Sequence, residues 1–131
     1  MKKIMNLILV LIFLTGLGFS NSFGQESPTL YAVSFYADNC SASKSIAPKV
    51  NSLQESLKGK SVEFVKFDMS DDESIKKTRD QAGKLGLSGL VDSYSGTGFV
   101  VLADAKSKET KAVLKSSQSV NEMLATITKH L

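Results

Sequence analysis

The apolar period of this chain changes at residue 40, and that change constrains what can be built around it. Residues 30–36 (LYAVSFY) form a dense run of aromatic, β-branched and small apolar residues, which reads as a strand buried on both faces. The run ends at Ala37-Asp38-Asn39-Cys40. From Ser41 onward Ile46, Val50, Leu53 and Leu57 recur at intervals of four, three and four, drawing one apolar stripe along a helix that Gly59 is expected to stop. A two-sided strand feeding an amphipathic helix is the opening of an α/β layered domain.

The remaining segments continue the alternation. Residues 62–67 (VEFVKF) predict a second strand, and Ser70 with Glu73 predicts a capping box ahead of a helix carrying Ile75, Ala82 and Leu85, closed by Gly86. Residues 87–98 (LSGLVDSYSGTG) hold three Gly and three Ser without a clean period and read as a loop. Residues 99–103 (FVVLA) and 110–115 predict two strands joined as an antiparallel hairpin. A second capping box, Ser119 with Glu122, opens a last helix with Val120, Met123, Leu124 and Ile127 on one face. The expected order is β-α-β-α-β-β-α. Helical connections between strands imply parallel pairing and the terminal hairpin an antiparallel one, so a mixed central sheet with helices on both faces is expected.

Length and charge narrow the class further. With 131 residues, one domain is expected. Lys2 and Lys3 account for two of the 16 basic residues and no acid lies among the first 24, so beyond them the net charge falls from +3 to +1. That balance argues against a nucleic-acid partner. The single Cys excludes an internal disulfide, and with the single His it excludes a zinc site built from Cys and His alone, so no metal or cofactor is expected. Residues 1–24 read as a signal peptide: Lys2 and Lys3, then the uncharged run 7–19, then Ser22 and Gly24 before a mature domain at 25–131. An uncleaved anchor stays open, because residues 4–24 carry no charge and match the roughly 20 residues a membrane helix needs. Either way the domain is expected to be exported, periplasmic or secreted, where disulfides persist.

The run Val33-Ser34-Phe35-Tyr36-Ala37-Asp38-Asn39-Cys40-Ser41-Ala42-Ser43-Lys44-Ser45-Ile46-Ala47-Pro48 resembles the active-site segment of thioredoxins, a strand ending in W-C-G-P-C-K that continues into a helix with a kinking proline. The element order extends the resemblance over residues 30–131 and implies a thioredoxin-like fold. It also implies that Cys40 is the attacking thiol and that Ser43 stands where the family has its second cysteine. A cysteine at a helix N-terminus is favoured as a thiolate, with Lys44 one turn on as a nearby cation. A serine hydroxyl can hydrogen-bond a thiolate but cannot resolve a mixed disulfide. The resemblance further sets Ser34 in place of a buried acid, Asn39 in place of a tryptophan, and no proline at the family's cis-proline. That place falls near Val91 or Thr97, where a trans bond is expected because a cis bond without proline costs about 2.5–4 kcal/mol.

Three readings follow. The leading one is a monothiol exchange protein that forms mixed disulfides through Cys40 with protein thiols, disulfides or small thiols. Asn39, Lys44, Val91 and Thr97 would form its partner rim, beside the long segment 87–98. The second is a non-catalytic protein-binding module on the same fold. The third is a thiol sensor that pairs through Cys40 into a disulfide-linked homodimer. Cys40 as a small buried filler is the plain alternative. His130 reads as a bystander near the C-terminus, and Asn39-Cys40-Ser41 also matches a glycosylation sequon.

Overall fold

A computed structural model describes residues 27–131; the signal peptide expected over residues 1–24 and the expected boundary at Gln25 lie outside the described residues. The elements run β1 (Leu30–Tyr36), α1 (Ser41–Ser56), β2 (Val62–Asp68), α2 (Asp72–Leu85), α3 (Ser88–Ser93), β3 (Phe99–Asp104), β4 (Thr110–Lys115) and α4 (Val120–Lys129). The four strands form one mixed sheet in the order β2-β1-β3-β4. β1 pairs parallel with β2, while β1 with β3 and β3 with β4 pair antiparallel.

Alternation along β1 divides the core. Tyr31, Val33 and Phe35 point to one face, where they pack with Val65 and Phe67 of β2, Ala82 of α2, and Leu90 and Val91 of α3. Leu30 and Ala32 point to the other, against Ile46 and Leu53 of α1 and Met123 and Ile127 of α4. β1 is therefore an interior strand covered on both sides, as its composition predicts. Pro48 sits inside α1, which ends at Ser56 with Leu57 as its cap; Gly59, with φ of 79°, turns the chain three residues beyond the helical end. Ser119 and Glu122 form the predicted capping box of α4.

Three expectations are corrected. First, residues 87–98 contain the short helix α3, because Leu87, Leu90 and Val91 bury their side chains in the core beside Phe35, and that packing supplies the order the Gly and Ser content withholds. Second, β3 does not lie parallel beside β2; it runs antiparallel to β1. The 14 residues of α2 span about 21 Å, close to the length of a seven-residue strand such as β1. α2 therefore carries the chain back to the β1 start, and residues 87–98 then climb to the opposite end, where Phe99 pairs with Phe35. Third, the cap of α2 is Asp71 rather than Ser70. Asp71 Oδ1 accepts the Ser74 amide at 2.7 Å, while the Ser70 oxygen is turned to accept the Asp38 amide at 2.9 Å and its proton goes to Asp68 Oδ1 at 2.6 Å.

Candidate functional site

Cys40 lies where β1 hands over to α1. Tyr36 ends the strand, Ala37 is buried, and Asp38 and Asn39 bend outward before Cys40 takes the extended conformation of a helix N-cap, φ −103° and ψ 119°. Two hydrogen bonds fix the bend. The Cys40 amide donates to the Ala37 carbonyl at 3.2 Å, and the Asp38 amide donates to Ser70 Oγ at 2.9 Å. The serine expected to cap α2 instead ties the end of β2 to the approach to Cys40.

Ser43 is fully buried, and its hydroxyl oxygen accepts the Ala37 amide at 3.2 Å. That bond uses the Ser43 oxygen as acceptor and leaves its proton available to another group. The half-buried Cys40 thiol donates to the Thr97 carbonyl at 3.8 Å, the long limit for sulfur, which favours the neutral form only weakly. The thiolate has the stronger set of partners. The side chain of Thr97, then the hydroxyl and amide of Ser43, and then the amide of Ala42 stabilise it, and partial burial opposes them. Together they lower the Cys40 pKa from 9.0 to about 7. Near neutral pH the site holds a substantial fraction of thiolate.

The rim differs from the sequence expectation in two ways. Lys44 is exposed one turn along α1 and is not among the groups that shift Cys40, which responds to hydroxyl and amide donors. Of the two positions expected to face the sulfur, Thr97 does so; Val91 is buried in α3 as part of the core. Asn39, Val91 and Thr97 nevertheless line one cleft of about 580 Å³, with Ala37, Met69 and Tyr94. All peptide bonds of the described residues are trans. Ser34 is half-buried in β1 and lines a cavity of about 170 Å³ between α1 and β2 with Val50, Asn51, Phe64 and Lys66, so no carboxylate stands there. Among the described residues, no three His, Cys, Asp or Glu side chains gather as a metal-binding group.

Sequence reasoning overlooked Ser70 and Gly98. Ser70 was assigned wholly to helix capping. Gly98 stood in a segment read as a loop, where its amide in fact donates to the Phe35 carbonyl at 2.7 Å and fastens Thr97 beside the sulfur. A glycine leading into a strand was the one available signal, and it is a weak one.

Comparison with known proteins agrees with this architecture. The thioredoxin family model matches residues 11–82, more than half of the chain, and the chain belongs to the thioredoxin family. No curated protein matches it. Among solved structures it is similar to thioredoxin-2, a component of malaria parasite protein secretion machinery, at 24% identity over 81% of this chain and 87% of that one, with a TM-score of 0.55. It is also similar to Chlamydomonas reinhardtii thioredoxin f2, at 23% identity over 81% and 82%, with a TM-score of 0.52. A third likeness is to MTB dsbF in its mixed oxidised and reduced forms, at 15% identity over 80% and 83%, with a TM-score of 0.55. These likenesses show a shared fold.

Proposed function

We propose that this chain is an exported monothiol thiol–disulfide exchange protein acting through Cys40. The observation that carries the reading is the Cys40 sulfur at the α1 N-cap, half-buried among hydroxyl and amide donors that bring its pKa to about 7, in a chain with no second cysteine. The thiolate attacks one sulfur of a partner disulfide. A Cys40–partner S–S bond forms, the partner's own S–S bond breaks, and the electron pair leaves on the distal sulfur, which takes its proton from water. Ser43 donates to the thiolate and cannot attack in its turn, so the mixed disulfide persists until an external thiol displaces it. The same bond exchange serves protein thiols and small thiols. The N-terminal charge and apolar pattern supports export to a periplasmic or extracellular space.

The test uses glutathione disulfide as the partner. Wild-type protein is expected to take up one glutathionyl group at Cys40 by intact mass and to show little turnover in an insulin-reduction assay. Ser43→Cys is expected to form an internal disulfide under mild oxidation and to gain partial turnover, since Ser34 still supplies no carboxylate. A wild-type protein that takes up no glutathione and exchanges with no disulfide would leave a binding module as the function of this fold. A disulfide-linked dimer formed in preference to the mixed disulfide would favour the sensor reading.

A further inference from the structure

On the α1 face of the sheet, β1 is covered unevenly. Leu30 and Ala32 are buried there, whereas Ser34 and Tyr36, further along the same face, are only half-buried. The cavity of about 170 Å³ opens at this level, where Ala32 and Ser34 of the strand meet Ala47 of α1 and none of the three is large enough to fill the gap between helix and sheet. Val50 and Phe64 complete an apolar lining. An apolar void of roughly 150 Å³ accepts benzene, so this one suits a body of about six or seven carbons. Its polar lining has one sign of charge. Lys66 is the register partner of Ser34, and its Nζ lies 3.9 Å from the centre of the Tyr36 ring, which borders the same cavity. No Asp or Glu lines it, and among the described residues Lys66 makes no salt bridge. Asp38 and Asp68 act on Tyr36 from outside the lining, and Asp68 Oδ1 already accepts the amide and hydroxyl of Ser70. Gln54 and Phe64 also border the open groove of about 650 Å³ at the start of β2, which gives a ligand its way in.

We propose that this cavity is a binding site for a small apolar monocarboxylate of benzoate size: its hydrocarbon body lies among Ala32, Ala47, Val50 and Phe64, and its carboxylate meets Lys66, with Ser34 and Asn51 as neutral donors. A neutral molecule of the same shape leaves the Lys66 charge unused. A dianion brings one more charge than the lining has cations to meet, and leaving it unpaired there is costly. The Tyr36 ring holds the ammonium at the site without neutralising it. The proposal is independent of the exchange reading, since neither Cys40 nor Ser43 lines the cavity.

The experiment is a benzoate titration of the isotope-labelled protein followed by amide NMR shifts, with benzyl alcohol as a neutral probe of the same shape. Benzoate is expected to give saturable shifts at Ser34, Ala47, Asn51 and Lys66. It should bind about fivefold more tightly than benzyl alcohol, the advantage of one partly exposed ion pair. Lys66→Met is expected to remove that advantage and leave benzyl alcohol binding unchanged. Ser34→Leu fills the cavity from the sheet and is expected to abolish binding of both probes; Ala47→Leu fills it from α1 and serves if Ser34→Leu does not fold, as melting curves will show. Cys40→Ser is expected to bind benzoate as wild type does, so a failure of the exchange reading leaves this site standing. No saturable shift at these residues with benzoate up to tens of millimolar overturns the proposal. So does equal affinity for the two probes. Benzoate binding that survives a folded cavity-filling variant overturns it too, because the carboxylate is then held by surface charge alone.

Discussion

At the scale of single residues, the chemistry of Cys40 is decided by donors that sequence distance conceals. Ala42 and Ser43 are near neighbours, but Thr97 lies 57 positions away and still makes the largest contribution to the lowered pKa. The sign of the pH dependence follows. An acid whose folded pKa is below its unfolded value stabilises the fold above the unfolded value, and that contribution is lost as pH falls through the folded one. For Cys40 the window runs from 9.0 down to about 7. Melting temperatures of wild type and Cys40→Ser are therefore expected to diverge in favour of wild type as pH rises from 7 to 9. Parallel curves across that range would show that the donors around the sulfur do not favour the thiolate. The bond from the Ala37 amide to the Ser43 hydroxyl, which binds the bend together, needed coordinates.

At the scale of elements, local signals located helices and strands well and their ends less well. Both caps illustrate why. Ser119 and Glu122 have no competing partner and form the capping box that their spacing predicts. Ser70 fits the same pattern on paper, yet Asp68 two residues back takes its hydroxyl and the Asp38 amide donates to its oxygen, so the cap passes to Asp71. Asp71→Ala is accordingly expected to lower the melting temperature at pH 7 more than Ser70→Ala does. The Asp71 carboxyl is held below its ordinary 3.8 chiefly by the Ser74 amide, so its contribution is present above that value and lost as pH falls through the depressed one. The gap between the two variants should close in acid. A larger loss from Ser70→Ala at neutral pH would restore the original assignment. The segment 87–98 failed differently: six residues are too few to display a helical period, and α3 exists because Leu90 and Val91 find a core to bury in.

At the scale of the whole molecule, one residue joins the core to the site, through its ring on one side and its backbone carbonyl on the other. Phe35 is fully buried, stacks on Phe99 at 4.9 Å between ring centroids and meets Phe67 edge-on at 5.5 Å, while its carbonyl anchors Gly98. Phe35→Ala is expected to cost about 3–5 kcal/mol by urea denaturation, a large part of what a domain of this size has in total. A cost near 1 kcal/mol would mean the aromatic cluster collapses around the gap, in the way cavity costs vary with relaxation. At the same scale lies the fate of residues 1–24: intact-mass analysis of the exported protein is expected to find a chain beginning within a few residues of Gln25. A full-length chain held in membranes would favour the anchor.

What the sequence by itself determined is whatever depends on neighbours along the chain: the strand and the helix that meet at Cys40, the amphipathic faces, the family, and the lack of a second thiol. Periodicity is a local property, and a residue's own chemistry travels with it. The direction of β3, the helix within 87–98, the choice of Thr97 over Val91 to face the sulfur, and the role of Gly98 came only with the tertiary structure. Each depends on which distant backbone comes to lie alongside. That is settled by how two faces of one sheet are filled at once, a constraint no single stretch of residues contains.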